Sequence, residues 1–168
     1  MDDNLKWSEG GVGTVIIRQV WSPGDLAIVE RLLEEYWASL GFSRETFGFG
    51  EELDSLPGEY QPPSGRLALA IVSGSAAGCI ALRKLSSSSC EMKRLYVRPE
   101  ERGMGVAVAL LEWLTSQAIA EGYATIMADT LPTMGAALRL YERFGFSRTG
   151  PYSDKPTPGA IYLKKDLL

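Results

Sequence analysis

The segment Arg102-Gly103-Met104-Gly105-Val106-Ala107 stands between a predicted strand, 90–97, and a predicted helix, 105–120. Glycine lets the main chain approach a ligand closely because it carries no side chain. The first N–H groups of a helix have no intrahelical partner, and the helix dipole makes this end positive. A strand, a glycine turn and a helix in this order therefore predict a phosphate-binding loop, with Arg98 and Arg102 adding positive charge.

Two other interpretations of this loop remain open at this point. It would also suit an ordinary turn from a strand into a helix. A dinucleotide-binding fingerprint fits less well, because it would require glycine or alanine at position 108, where the chain has Val108.

The chain contains no histidine, which restricts the chemistry available to it. Ser-His-Asp and Cys-His mechanisms are excluded, so a proton acceptor must be a carboxylate, an amine, a tyrosine, a thiol or a relayed water. The two cysteines, Cys79 and Cys90, form no CxxC pair, and no metal site is expected. An acyl-enzyme on Cys90 is not expected either, because the neighbouring Glu91 would raise the pKa of the thiol.

Hydrophobic periodicity and turn residues predict the elements that position this loop. Ser22-Pro23-Gly24-Asp25 is typical of a helix start, because serine caps, proline suits the first turn and aspartate favours the positive end. The predicted strands are 13–20, 67–72, 79–85, 90–97, 123–129, 146–149 and 160–167, and the predicted helices are 22–40, 43–56, 105–120 and 133–144. This order predicts an α/β fold with a mixed sheet and helices on both faces.

Length, charge and composition limit the class of protein. The 168 residues suit one domain, predicted over 12–168 after a loose tail at 1–11. A net charge of −4 argues against nucleic-acid binding. No apolar run of 18 residues and no secretory signal are visible, so a cytoplasmic protein without a membrane span is expected, with both thiols reduced.

Two segments together resemble the GNAT superfamily of N-acetyltransferases. The first, CEMKRLYVRPEERGMGVAVALLEWL, is similar to the family's acetyl-CoA motif, whose [RQ]-x-x-G-x-[GA] consensus Arg102–Ala107 matches at each fixed position. The second, LRLYERFGF, is similar to the signature that places a tyrosine on a helix before Gly-Phe. The stretch DTLPTMGAALRLYERFGF also resembles a subgroup of small, uncharacterised bacterial-type members. The resemblance implies a mostly antiparallel central sheet with helices on both faces.

The resemblance also implies roles for individual residues. Glu91 would be the base that deprotonates the amine, and we expect it to share a strand face with Lys93, Leu95 and Val97. The Leu95 N–H would polarise the acetyl carbonyl, and Tyr141 would protonate the departing thiolate. The implied cofactor-binding residues are Leu95, Tyr96, Val97, Arg102, Gly103, Met104, Gly105, Val106 and Ala107.

Each of these residues has a structural alternative. Glu91 would otherwise be a surface carboxylate paired with Lys93 or Arg94, Leu95 an ordinary ladder donor, and Tyr141 a core aromatic. Tyr152, in a proline-rich loop, is a candidate for the lip of the substrate site. Met134 stands where many relatives have an asparagine that contacts the cofactor, which puts that contact in question.

The implied reaction is transfer of an acetyl group from acetyl-CoA to a primary amine by direct attack, on a small molecule. Alternatives are acetylation of a protein or peptide at lysine or the N-terminus, and a CoA-binding regulatory module without turnover. Residues 25–59 carry nine acidic and two basic side chains, which indicates either a cationic acceptor or a solvated helix face. A homodimer is possible.

Overall fold

The computed structural model of the chain describes residues 5–7 and 14–167, with side chains described for 14–167. Its strands are β1 Leu5–Trp7, β2 Val15–Gln19, β3 Arg66–Val72, β4 Ser75–Lys84, β5 Ser89–Val97, β6 Thr125–Thr130, β7 Ser147–Thr149 and β8 Ile161–Asp166. Its helices are α1 Pro23–Ser39, α2 Phe49–Asp54, α3 Val106–Ala120 and α4 Gly135–Arg143. The predicted order of elements is confirmed from β2 onwards, with boundaries shifted by a few residues.

The strands form one sheet in the order β1-β2-β3-β4-β5-β6-β8-β7. Every neighbouring pair is antiparallel except β5 and β6, which are parallel. This confirms the predicted mixed, mostly antiparallel sheet. β1 was not predicted: the expected tail at 1–11 includes this short strand, and its remaining residues lie outside the described part of the chain.

Two apolar cores lie on opposite faces of the sheet, which confirms helices on both faces. One core joins the sheet to α3 and includes Leu110, Trp113 and Ile126. The other joins it to α1 and α2 and includes Leu33, Trp37 and Phe49. Burial of these side chains is the main stabilising contribution to both layers.

Helix α1 begins as its sequence predicts. The Ser22 hydroxyl accepts a hydrogen bond from the Asp25 N–H at 3.1 Å, and Pro23 occupies the first turn. The predicted helix over 43–56 is instead a 3-10 turn at Thr46–Gly48 followed by the short α2. Gly48 interrupts it, with a positive φ of 72° that a glycine adopts without strain.

Strand β5 contains a bulge that decides the geometry of the site. Arg94 has a φ of 60°, and the register with β4 shifts between Cys79 and Ala81. Such a bulge reverses the faces to which the following side chains point.

In the part of the chain that the structure describes, no helix is long and apolar enough to cross a membrane.

Candidate active site

Strands β5 and β6 separate in the middle of the sheet. They pair only from Ser89 with Thr125 to Glu91 with Met127. Beyond these residues β6 continues beside β8, while β5 turns away at its bulge. The opening between the two strands is bordered by a long groove on one side and a smaller inner pocket on the other.

The groove is the larger of the two cavities. It runs from the start of α3, past the end of β5, to α4 and the end of α1. Its lining includes Leu95, Tyr96, Val97, Arg102, Gly103, Gly105, Val106, Ala107 and Tyr141. These are nine of the ten residues predicted for the cofactor or for the acid; Met104 is not part of this lining.

Main-chain donors are concentrated where the groove meets the start of α3. Gly103 and Gly105 have φ of 78° and 79°, so the loop turns sharply into α3. The N–H groups of residues 103–108 make no hydrogen bond to another described group, and the first helical bond runs from Ala109 to Gly105 at 3.0 Å. This cradle of unpaired donors at a helix start suits a phosphate or diphosphate.

The two arginines near this loop already donate hydrogen bonds to other groups of the protein. The Arg98 guanidinium binds Glu35 of α1 at 2.7 and 3.0 Å and the Ala76 carbonyl at 3.0 Å. The Arg102 Nε donates to the Val97 carbonyl at 3.0 Å. Arg98 therefore holds α1 to the sheet, while Arg102 remains at the edge of the groove.

Tyr141 lines both the groove and the inner pocket. Its side chain is buried, its ring is 5.8 Å from that of Phe146, and its hydroxyl has no hydrogen-bond partner among the described residues. Burial raises the pKa of its phenol, so it is protonated at neutral pH. A phenol in this position is a proton donor to a ligand in the groove.

The predicted face of Glu91 is only partly correct. Lys93 follows it on the α1 and α2 side, but the bulge at Arg94 carries Leu95 and Val97 to the core on the α3 side. Regular strand alternation therefore fails after Lys93, and Leu95 reaches the groove because of it.

The Glu91 carboxylate is buried and already occupied on both oxygens. Arg83 Nε donates to Oε1 at 2.7 Å, and the Tyr152 hydroxyl donates to Oε2 at 2.6 Å. Lys93 Nζ lies 3.8 Å from Oε1. Neither Glu91 nor Tyr152 is part of the lining of the inner pocket.

Asp129 lines the inner pocket and was not singled out from the sequence. Burial raises the pKa of its carboxyl, with Glu91 acting in the same direction and Lys93 in the opposite one. Its carboxylate makes no side-chain hydrogen bond within the described residues. The only sequence signal was its place at the end of a predicted strand, next to the PTMG turn.

Other residues of the inner pocket come from distant parts of the chain. Tyr36 of α1 stacks on Tyr96 at 5.3 Å and donates to Met134 Sδ at 3.9 Å. Met134 thus lines both cavities and separates them, at the position where many relatives have an asparagine. Arg94 is bound by Glu52 at 2.7 and 3.0 Å and covers the Trp37 ring at 4.8 Å.

The acidic residues of 25–59 mostly serve the structure. Besides Glu52 and Glu35, the carboxylates of Glu34 and Asp54 bind Arg44, and that of Glu59 binds Arg83. This favours the solvated helix face over a cationic acceptor.

Cys90 is buried, which raises the pKa of its thiol to about 12.

Comparisons with known proteins agree with this geometry. Residues 29–146 match the model of the acetyltransferase (GNAT) family. An uncharacterised N-acetyltransferase of Schizosaccharomyces pombe is 36% identical over 155 residues, which cover 91% of this chain and 95% of that protein.

Solved structures show the same fold at low identity. An acetyltransferase of Streptococcus agalactiae superimposes with a TM-score of 0.77 at 20% identity, over 90% of this chain and 98% of that one. An aminoglycoside 6'-N-acetyltransferase in complex with coenzyme A superimposes with a TM-score of 0.69 at 17% identity, over 91% and 97%.

Proposed function

The chain belongs to the GNAT family of N-acetyltransferases, and we propose that it moves the acetyl group of acetyl-CoA to a primary amine of a small molecule by direct attack. We further propose that residues 12–168 act as one catalytic domain. The observation that carries the proposal is a cradle of unpaired main-chain N–H groups at 103–108 whose groove ends at the buried Tyr141 hydroxyl.

The groove fits the co-substrate along its length. The donors of 103–108 and Arg102 would hold the diphosphate, and Leu95 to Val97 would border the pantetheine arm. A structural neighbour binds coenzyme A in the same fold, which supports this assignment. The bound group supplies an activated thioester carbonyl; the protein supplies the position, the donors and the proton acceptor.

Proton transfer must accompany the attack. A primary ammonium has a pKa of about 10, so it must lose a proton before its nitrogen can form the new C–N bond. The Leu95 N–H would stabilise charge on the carbonyl oxygen, and Tyr141 would give its proton to the sulfur as the C–S bond breaks. The products are then the N-acetyl amine and free thiol.

Two carboxylates compete for the role of proton acceptor. Glu91 stays the prediction from the family resemblance, but its oxygens are engaged by Arg83 and Tyr152, so it would need a relay. Asp129 lines the inner pocket directly and has a raised pKa, which suits a base working near neutrality. We therefore propose Asp129 as the direct acceptor, with Glu91 and Tyr152 as positioning residues.

A small acceptor is supported by the side chains around the inner pocket. Tyr36 and Met134 line the pocket and restrict it, with the Tyr36 hydroxyl donating to Met134 Sδ at 3.9 Å. Outside this lining, Tyr152 holds the 150–160 loop to the sheet by its bond to Glu91, and its ring meets that of Tyr162 at 5.5 Å. An extended peptide would have to displace these contacts.

The test is a screen of acceptors with acetyl-CoA, following thiol release and confirming products by mass spectrometry. The panel contains small amines, a lysine peptide and a peptide with a free N-terminus. We expect turnover with members of the small-amine set. Turnover with peptides alone would assign a protein acetyltransferase, and tight acetyl-CoA binding without any transfer would assign a regulatory module.

A further inference from the structure

The inner pocket contains a buried hydroxyl that the protein leaves without a partner. Thr130 is 6% exposed, and its Oγ1 makes no hydrogen bond among the described residues. Thr130 and Asp129 both line the inner pocket, and as successive residues of β6 their side chains extend from opposite faces of the strand. An unpaired buried hydroxyl is costly, and a ligand in the pocket would supply the missing partner.

The same pocket presents a cation whose donors are not used. Lys93 is mostly buried, and its closest carboxylate oxygen, Glu91 Oε1, is 3.8 Å away, beyond hydrogen-bond distance. That carboxylate already binds Arg83 and Tyr152. Burial and the neighbouring Arg94 lower the pKa of the Lys93 ammonium, while Glu91 acts in the opposite direction.

The other cation of the pocket is not available in this way. The Arg94 guanidinium makes two bonds to Glu52 and stacks on Trp37. Its charge is therefore neutralised on the α2 side. Among the described cations that line the pocket, Lys93 alone makes no hydrogen bond to a carboxylate.

The Asp129 carboxylate, which makes no side-chain hydrogen bond within the described residues, lines the same pocket as this cation. Lys93 and Asp129 are each two residues beyond the last β5–β6 pair, Glu91 with Met127, so they follow the two strands as these separate. Both line the pocket, yet they form no ion pair within 4.0 Å in the described structure. The gap is bordered by one positive group, one negative group and one hydroxyl.

We propose that the acceptor is an amino acid, or a close amino carboxylate, whose carboxylate binds Lys93 while its ammonium faces Asp129. Thr130 Oγ1 donates a hydrogen bond to the same acceptor. This inference rests on the proposed function and adds the substrate class. An amine without a carboxylate would bury Lys93 further and leave its charge unpaired, which is the more costly arrangement.

The experiment compares each of the twenty amino acids with the amine that lacks its α-carboxylate, for example leucine with isoamylamine and phenylalanine with phenethylamine. Initial rates of thiol release give kcat/KM for each pair. For the preferred side chain, we expect the amino acid to exceed its amine by roughly tenfold to hundredfold, as for a charge-assisted hydrogen bond.

Three variants assign that preference to the pocket. Lys93→Met should reduce the ratio of kcat/KM between amino acid and amine to about one, and Lys93→Arg should restore part of it. Lys84→Met is the matched control, because Lys84 is exposed on β4 and should keep the full ratio. Thr130→Val should raise the KM of the amino acid without lowering the melting temperature, because the hydroxyl has no protein partner to lose.

The outcomes separate the two proposals. Equal or better acetylation of the bare amines, or an unchanged ratio in Lys93→Met, overturns the subsite and leaves the acetyltransferase proposal standing. Acetylation of no member of either series overturns both. A Thr130→Val protein that is destabilised while its KM is unchanged shows a structural hydroxyl and removes that contact from the proposal.

Discussion

The groove and the inner pocket lie on either side of the same opening, but they are built from different kinds of groups. The groove offers main-chain N–H donors from a glycine loop, with apolar and small side chains around them. The inner pocket offers charged and hydroxyl side chains from β5 and β6, of which Arg94 is held by an ion pair to Glu52 of α2. A main-chain site depends on local conformation, whereas a side-chain site depends on which distant elements meet.

This difference determines how each half should respond to substitution. A side-chain replacement in the inner pocket removes the chemical group itself. In the groove, two kinds of substitution should have a large effect on binding or turnover. One alters the path of the main chain, and the other removes the Tyr141 hydroxyl. Substitutions in the inner pocket should therefore change turnover most, and those of the main-chain loop should change affinity.

Asp129→Asn should give the largest loss. Removal of the proton acceptor should lower kcat roughly 10²–10⁴-fold at neutral pH, with partial recovery at high pH where the free amine exists. Because burial raises the pKa of Asp129, the acidic limb of the parent profile should lie above the ordinary aspartate value, and activity should fall as pH drops through it. Asp166→Asn is the control, because the Asp166 side chain is exposed at the end of β8. Identical pH–rate profiles in parent and Asp129→Asn would assign the base elsewhere.

Tyr141→Phe removes only a hydroxyl and should lower turnover roughly 10²-fold, with little change in acetyl-CoA affinity. The effect should shrink with an acyl donor whose thiol is more acidic. Tyr123→Phe is the matched control, because the Tyr123 hydroxyl donates to the Ser64 carbonyl at 2.7 Å and serves only the structure. Parent-like turnover in Tyr141→Phe would leave the tyrosine as a core aromatic.

Gly105→Val should weaken acetyl-CoA binding by roughly tenfold or more, because a left-handed residue with a side chain costs about 1–2 kcal/mol and disturbs the N–H cradle. Gly122→Val carries the same strain at the other end of α3, with a φ of 85° and open space around it. Both variants should lose stability, but calorimetry should find reduced affinity only in Gly105→Val. Equal affinities in the two folded proteins would exclude this loop from diphosphate binding.

Glu91→Gln should have the smallest effect on turnover and a clear effect on stability. Weakening the buried bond to Arg83 should cost about 1–3 kcal/mol, because a charged hydrogen bond is lost inside the sheet. Glu59→Gln changes the other, exposed partner of Arg83 and should cost under about 1 kcal/mol. If Glu91→Gln instead reproduces the pH-dependent loss expected of Asp129→Asn, Glu91 is the base and the relay through Tyr152 must be reconsidered.

Much of the groove was predictable because its parts are close in sequence. The predicted turn at 102–107 connects β5 to α3 as expected, and nine of the ten residues named for the cofactor or acid line one cavity. The predictions that failed depend on irregular backbone. The bulge at Arg94 breaks the regular alternation of side-chain faces that was assumed for Glu91, Lys93 and Leu95. No local sequence pattern predicted a bulge at this residue.

The family, the order of elements from β2 onwards and the glycine loop could be predicted from the chain alone, because each of these depends on local periodicity, turn residues and short motifs. Which carboxylate lines the inner pocket became known only from the folded arrangement. Glu91 and Asp129 sit on adjacent strands, and their roles differ because Arg83 and Tyr152, 8 and 61 residues away in the chain, occupy the first and not the second. Burial among distant elements raises the pKa of Asp129, and long-range hydrogen bonds engage Glu91; both depend on the packing of distant elements rather than on local sequence.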